Sequence, residues 1–226
     1  MSAYLLFGAS GALGAATVEL LRNQGHDVLT AGRQASGSID IGVEAPGWQS
    51  HVKAFGPLDG VVWAQGINAS GTVITSSTDD LRFALEANVV FIQETLQVLV
   101  NNGLLARPCR SVVVSSIWQD HARSNKFAYM VSKSALAGLV KSIALDLADD
   151  GFAINAVLPG VIDTPMTRAN LSAEQIERME SNSLGGALAK PESIAETISW
   201  LLSPHSVGMN AQFVTVDEGW TTNRHV

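Results

Sequence analysis

Short uncharged runs of apolar residues recur along this chain, spaced so that one helix fits between most successive pairs. The runs at 4–7, 28–31, 61–64, 111–114, 154–158 and 212–216 are too short for buried helices and read as strands. Between them, apolar positions at helical spacing predict helices over 15–23, 46–55, 79–101, 127–149 and 193–202. Ser77 or Thr78 is a candidate cap for the third of these, and Pro191 precedes the last. The stretch 32–38 is too short and too rich in Gly and Ser for a full helix, so 39–41 is expected to return as a strand through a loop. Alternating strands and helices predict an α/β fold, a doubly wound parallel sheet with helices on both faces. The segment 164–190 breaks the rhythm, with Pro165, Gly185 and Gly186 at its edges and a short helical pattern over 173–181. It has two readings, a substrate lid and a plain surface excursion.

Composition narrows the class. The chain has 226 residues, 46% of them hydrophobic, enough for one compact domain with a substantial core. A formal charge of -7 and the lack of any Lys/Arg-rich run argue against a nucleic-acid footprint. Cys109 is the only cysteine, which excludes an intrachain disulfide and suits the cytoplasm. The 5 histidines have no metal-ligand spacing, so no metal is expected. Residues 1–18 carry no charged side chain and could pass for a signal peptide or membrane span. They lack a basic start, however, and Gly8, Gly11 and Gly14 interrupt them; a strand, turn and helix explain them better, and no membrane partner is expected.

That turn, Gly8-Ala9-Ser10-Gly11-Ala12-Leu13-Gly14, joins the first strand to the first helix, the setting in which glycines let backbone N–H groups approach a pyrophosphate. The residue at the end of the second strand selects the cofactor: a carboxylate binds a ribose 2′-hydroxyl, whereas a guanidinium suits a 2′-phosphate. Here the sequence is Ala31-Gly32-Arg33 with no carboxylate before Asp40, so Arg33 favours NADP(H) over NAD(H).

Farther along, Tyr129 and Lys133 are four apart and share one helix face. Ser116 follows the Val112-Val113-Val114 strand and should project from its carboxyl end, where open α/β sheets hold ligands. A hydroxyl, a phenol and an ammonium can thus meet at one reacting carbonyl.

Taken in order, these pieces resemble the short-chain dehydrogenase/reductase family over nearly the whole chain. The matching residues are the turn from Gly8, Asp40-Ile41, Gly66, Asn88, Ser116, Tyr129 with Lys133, the run from Asn155 to Thr164, and Val216-Asp217-Glu218-Gly219. The resemblance implies a single Rossmann-type domain and hydride transfer between a nicotinamide and a small carbonyl or alcohol. It also implies a catalytic set of Asn88, Ser116, Tyr129 and Lys133, with Tyr129 as general acid/base and its phenolate favoured by the Lys133 ammonium. Further roles follow from the same resemblance. Lys133 would reach the nicotinamide ribose, and Asn88 would position a water linking Lys133 to solvent. Asp40 and Ile41 would meet the adenine, and Ile162 and Thr164 the carboxamide. Together with Gly8, Ser10, Gly11, Ala12, Leu13 and Gly14 of the turn, Ala64, Gly66, Pro159 and Gly160 complete the expected cofactor contacts.

Three departures stand out. Phe7 replaces the family's usual Thr and the turn glycines are three apart. Trp63-Ala64-Gln65-Gly66 replaces Asn-Asn-Ala-Gly, so the bonds bracing the central strand must be lost or replaced. The helix between the second and third strands is reduced or missing. A competing reading, a non-catalytic dinucleotide sensor or scaffold, is disfavoured by the Tyr129–Lys133 pair, for which a sensor has no need. The helices over 79–101 and 127–149 are apolar around more than one stripe, and a homodimer or homotetramer through them is expected.

Overall fold

The computed structural model describes residues 1–31, 38–39 and 48–223, so Arg33, Asp40 and Ile41 lie outside the described residues. The strands β1 (Ala3–Phe7), β2 (Asp27–Ala31), β3 (Ser38–Ile39), β4 (Gly60–Trp63), β5 (Cys109–Val114), β6 (Phe152–Pro159) and β7 (Phe213–Val216) form one parallel sheet. Its order is β3-β2-β1-β4-β5-β6-β7, with the reversal of direction falling between β1 and β4. Open parallel sheets bind ligands at the carboxyl ends beside that point.

Alternation along each strand divides the interior in two. Leu5, Phe7, Val61, Trp63, Val113, Ile154 and Ala156 face one layer of helices: α2 (Trp48–Phe55), α4 (Phe91–Asn101) and α5 (Phe127–Asp146). Tyr4, Leu6, Val62, Val112, Val114 and Val157 face the other, α1 (Ala12–Asn23) and α8 (Pro191–Leu202). Pro191 begins α8 itself, where its fixed φ and missing N–H are harmless.

The third expected helix is continuous over 78–101 but changes pitch. Ser77 caps α3 (Thr78–Leu85) through a reciprocal capping box with Asp80, and a π-helical turn over Glu86–Val90 joins α3 to α4. By length and composition this helix could cross a bilayer. Its Ile92, Leu96 and Leu99 are instead buried in the core of the first layer. Trp63 answers the lost family asparagine: its indole N–H donates to Thr95 Oγ1 at 2.9 Å, bracing the central strand from α4.

The segment after β6 folds as α6 (Pro165–Asn170) and α7 (Ala173–Ser181), started by the Thr164 and Ser172 hydroxyls respectively. It is pinned at its far end: Ser183 Oγ and Gly185 N both donate to the Glu218 carbonyl, and Asn223 Nδ2 donates to the Asn182 carbonyl.

Candidate active site

Ser116, Tyr129 and Lys133 line one cavity of about 180 Å³ at the carboxyl ends of β4, β5 and β6. Each arrives by a different local device. Ser116, two residues past the end of β5, is extended and caps a short 3₁₀ turn, accepting from the Trp118 N–H at 3.2 Å, and its hydroxyl is also turned to the Tyr129 phenol. Tyr129 and Lys133 come from successive turns of α5, with the ammonium nitrogen 5.8 Å from the phenol ring centre.

Lys133 is buried, and its Nζ donates to the Val114 carbonyl at 2.9 Å. Burial pushes its pKa down from 10.5 to about 8. Burial likewise raises the Tyr129 phenol above its ordinary 10.0, with the Ser116 hydroxyl and then the Arg123 guanidinium pulling the other way without cancelling it. Desolvation, which disfavours any charged form, is the largest influence on the phenol, and Lys133 is not among the groups that pull it down. At neutral pH the phenol holds its proton.

Asn88 sits behind this cavity in the π-turn, and its side chain is fully engaged. Oδ1 accepts from Ile67 N at 2.8 Å, while Nδ2 donates to Ile67 O at 3.2 Å and to Ser132 Oγ at 2.8 Å. Ser132 passes the contact on by donating to the Tyr129 carbonyl at 2.8 Å. Asn88 thus clasps the segment after β4 to the helix that carries Tyr129. Gly66 lies directly in front: a Cβ there would come within 2.9 Å of Asn88 Oδ1 and 3.6 Å of Lys133 Nζ.

Of the expected cofactor contacts, Leu13, Ala64, Gly66, Pro159, Gly160 and Ile162 line the cavity. Gly8, Ser10, Gly11, Ala12 and Gly14 form the turn at its edge rather than its wall. Gly8 holds a positive φ of 85°, and a Cβ on Gly14 would collide with the Gly8 carbonyl, so the turn closes only with these residues. Thr164 caps α6 and is not among the lining residues. Beyond Ser116, the Trp118 ring carries the Arg123 guanidinium at 5.1 Å and meets Trp220 edge-on at 5.5 Å.

A family model described as Enoyl-(Acyl carrier protein) reductase matches residues 47–221. The chain belongs to the short-chain dehydrogenase/reductase family. Among relatives of this dehydrogenase/reductase, the L-xylulose reductase of Mus musculus is 30% identical, covering 96% of this chain and 95% of its own. The 3-oxoacyl-(acyl-carrier-protein) reductase FabG of Vibrio cholerae is 27% identical and covers 95% of each. A solved short chain dehydrogenase family protein from Francisella tularensis shares 28% identity at a TM-score of 0.84, over 98% of this chain and 99% of that one. This dehydrogenase/reductase is accordingly an NAD(P)-dependent oxidoreductase acting on CH–OH and C=O groups.

The residues of this family member fit a nicotinamide dinucleotide. Helix α1 starts at Gly11 with no side-chain cap and no acidic residue in its first turn, which leaves its amides and positive end available to a pyrophosphate. Sequence reasoning missed Gln65, which also lines the cavity. A polar residue after an apolar strand, where the family has alanine, was the available signal.

Proposed function

We propose that this dehydrogenase/reductase is an NADP(H)-dependent enzyme that reduces a small carbonyl compound or oxidises the corresponding alcohol, with Tyr129 as general acid/base. The convergence of Ser116, Tyr129 and Lys133 in one cavity is the observation that carries this reading. When bound, the nicotinamide supplies or accepts the hydride at the substrate carbon. Tyr129 gives its proton to the carbonyl oxygen in reduction and takes it from the alcohol in oxidation. Ser116 donates to the same oxygen and holds it in line. Lys133, a cation one turn away at neutral pH, favours the charge that develops on the phenol oxygen as its proton leaves. Asn88 holds the Tyr129 helix in place through Ser132.

Arg33 supports NADPH over NADH, and α6 with α7 supports a lid over the substrate. Exposed Phe83 on α3, with Val131 and Leu145 two heptads apart on one side of α5, supports a homodimer or homotetramer through these helices. A cytoplasmic location fits the unpaired Cys109.

The test is purified protein with NADPH or NADH and a panel of aldehydes and ketones. NADPH should be oxidised with at least one carbonyl compound, and Tyr129→Phe should lower the rate by ~10²-fold or more. Activity retained in Tyr129→Phe would remove the tyrosine from its role; faster turnover with NADH would remove the cofactor assignment.

A further inference from the structure

Arg123 lies between Ser116 and Tyr129 in the chain, outside every motif shared with the family, and the fold fastens it near both. Its guanidinium rests over the ring of Trp118, two residues past Ser116, at 5.1 Å. Its backbone N–H donates to the sulfur of Met130, the neighbour of Tyr129, at 3.2 Å. Trp118 is steadied in turn by Trp220, edge-on at 5.5 Å. The guanidinium is therefore held beside the reacting end of the site, near enough for its charge to act on the Tyr129 phenol.

A guanidinium stacked on a ring keeps its N–H groups at the rim of its plane, as a fork fitted to a carboxylate or phosphate. Among the described residues that fork has no acceptor: the ion pairs use Arg82, Arg107 and Arg168. Asp120, the nearest carboxylate along the chain, accepts from the Gln119 amide at 3.4 Å instead, and the first turn of α5 has no acidic residue. The charge that does stand near Arg123 is a second cation. Lys126 donates from Nζ to Ser70 Oγ at 2.8 Å, and partial burial, then the Arg123 charge, holds its pKa below 10.5. In a chain of net charge -7, two neighbouring cations without a counter-charge mark a place that lacks an anion.

We propose that Arg123 is a specificity-determining residue that binds an anionic group, carboxylate or phosphate, carried by the carbonyl substrate, with Lys126 adding to the attraction. The inference deepens the oxidoreductase reading above and rests on it. Neither Trp118 nor Arg123 lines the cavity that the dinucleotide would enter, so the anion is assigned to the substrate side of Ser116 and Tyr129. Oxo acids and phosphorylated ketones carry such a group; neutral aldehydes, ketones and sugars do not.

Steady-state kinetics at saturating NADPH or NADH test this on matched pairs: an oxo acid against its methyl ester, and a ketone phosphate against the unphosphorylated hydroxyketone. In the wild type, kcat/KM should be about tenfold higher or more for the anion of whichever pair is turned over. It should fall with added salt for the anion and not for its neutral partner. Arg123→Met keeps a stem over Trp118 and removes the charge. It should lower kcat/KM for the anion about tenfold, through KM, and leave the neutral member within about twofold. Arg123→Lys should recover part of that loss. Losses confined to the oxo acid assign a carboxylate, and losses confined to the phosphorylated ketone assign a phosphate. Melting curves check that the variants fold; should they not, the wild-type comparison of charged with neutral substrates carries the test. Equal kcat/KM within each pair, or an Arg123→Met variant that treats the anion as the wild type does, would overturn the proposal and leave the oxidoreductase reading standing. Wild-type protein that oxidises neither dinucleotide with any carbonyl compound would overturn that reading itself.

Discussion

The buried Lys133 ammonium donates to the Val114 carbonyl at 2.9 Å, tying the α5 turn next to Tyr129 to the carboxyl end of β5. With its pKa lowered to about 8, Lys133 is charged at neutral pH and loses that charge as pH rises through the same value. For carbonyl reduction, kcat/KM is therefore expected to fall above a pH of about 8. A pH–rate profile that stays flat across that range would contradict this assignment.

The same burial penalises the folded state. Below a pH of about 8 the folded and unfolded chains both bind the lysine proton; between about 8 and 10.5 only the unfolded chain does, so stability rises with pH across that window. Lys133→Met keeps the aliphatic stem and removes the charge. It is expected to stabilise the protein at neutral pH by on the order of 1–3 kcal/mol, less what the unpaired Val114 carbonyl costs, while abolishing turnover. Urea denaturation measures the first effect, and a clear loss of stability would count against it.

Asn88→Ala leaves the Ile67 N–H, the Ile67 carbonyl and the Ser132 hydroxyl without the partners they now have. Orphaned buried groups cost ~1–3 kcal/mol each when unsatisfied, so a stability loss in that range is expected together with reduced activity. Denaturation midpoints for Asn88→Ala and Ser132→Ala should both fall, with Asn88→Ala the lower. Equal midpoints would show that the clasp on Ile67 contributes little.

Much of this was legible in the sequence, and the reasons differ by residue. The two-faced core follows from strand alternation, since Leu5 and Leu6 point to opposite layers wherever the strand lies. The approach of Tyr129 to Lys133 follows from helical pitch, and that of Ser116 from its place at a strand end. The π-turn at Asn88 and the Trp63–Thr95 brace were not legible. Each depends on which distant residue becomes a neighbour, and no local pattern encodes that. Desolvation of Tyr129 is of the same kind: charge proximity was visible in the spacing, burial was not.

Gly66→Ala would place a methyl group 2.9 Å from Asn88 Oδ1 and 3.6 Å from Lys133 Nζ. The Asn88 amide is held on both sides and cannot give way freely. Turnover is expected to fall by ~10-fold or more with a smaller change in stability, because misplacement of catalytic groups is amplified in rate. Steady-state kinetics beside a melting curve checks this, and unchanged kcat would show that the space in front of Lys133 is not needed.

Leu145 is 79% exposed on α5 and Phe83 is 53% exposed on α3. Leu145→Glu is expected to shift the assembly toward monomers at micromolar concentration, as read by sedimentation velocity. A wild-type chain that sediments as a monomer would contradict the proposed assembly.

Four of the 5 tryptophans fall into two groups of optical reporters, the fifth being the exposed Trp200 on α8. Trp48 and Trp63 are sealed in the first layer, and their emission should be blue-shifted and blind to ligand. Trp118 and Trp220 touch edge-on, one just past Ser116 and the other in the terminal turn that follows Glu218. Loosening of the terminal turn would therefore change the emission of this second pair while leaving that of the sealed pair unaltered.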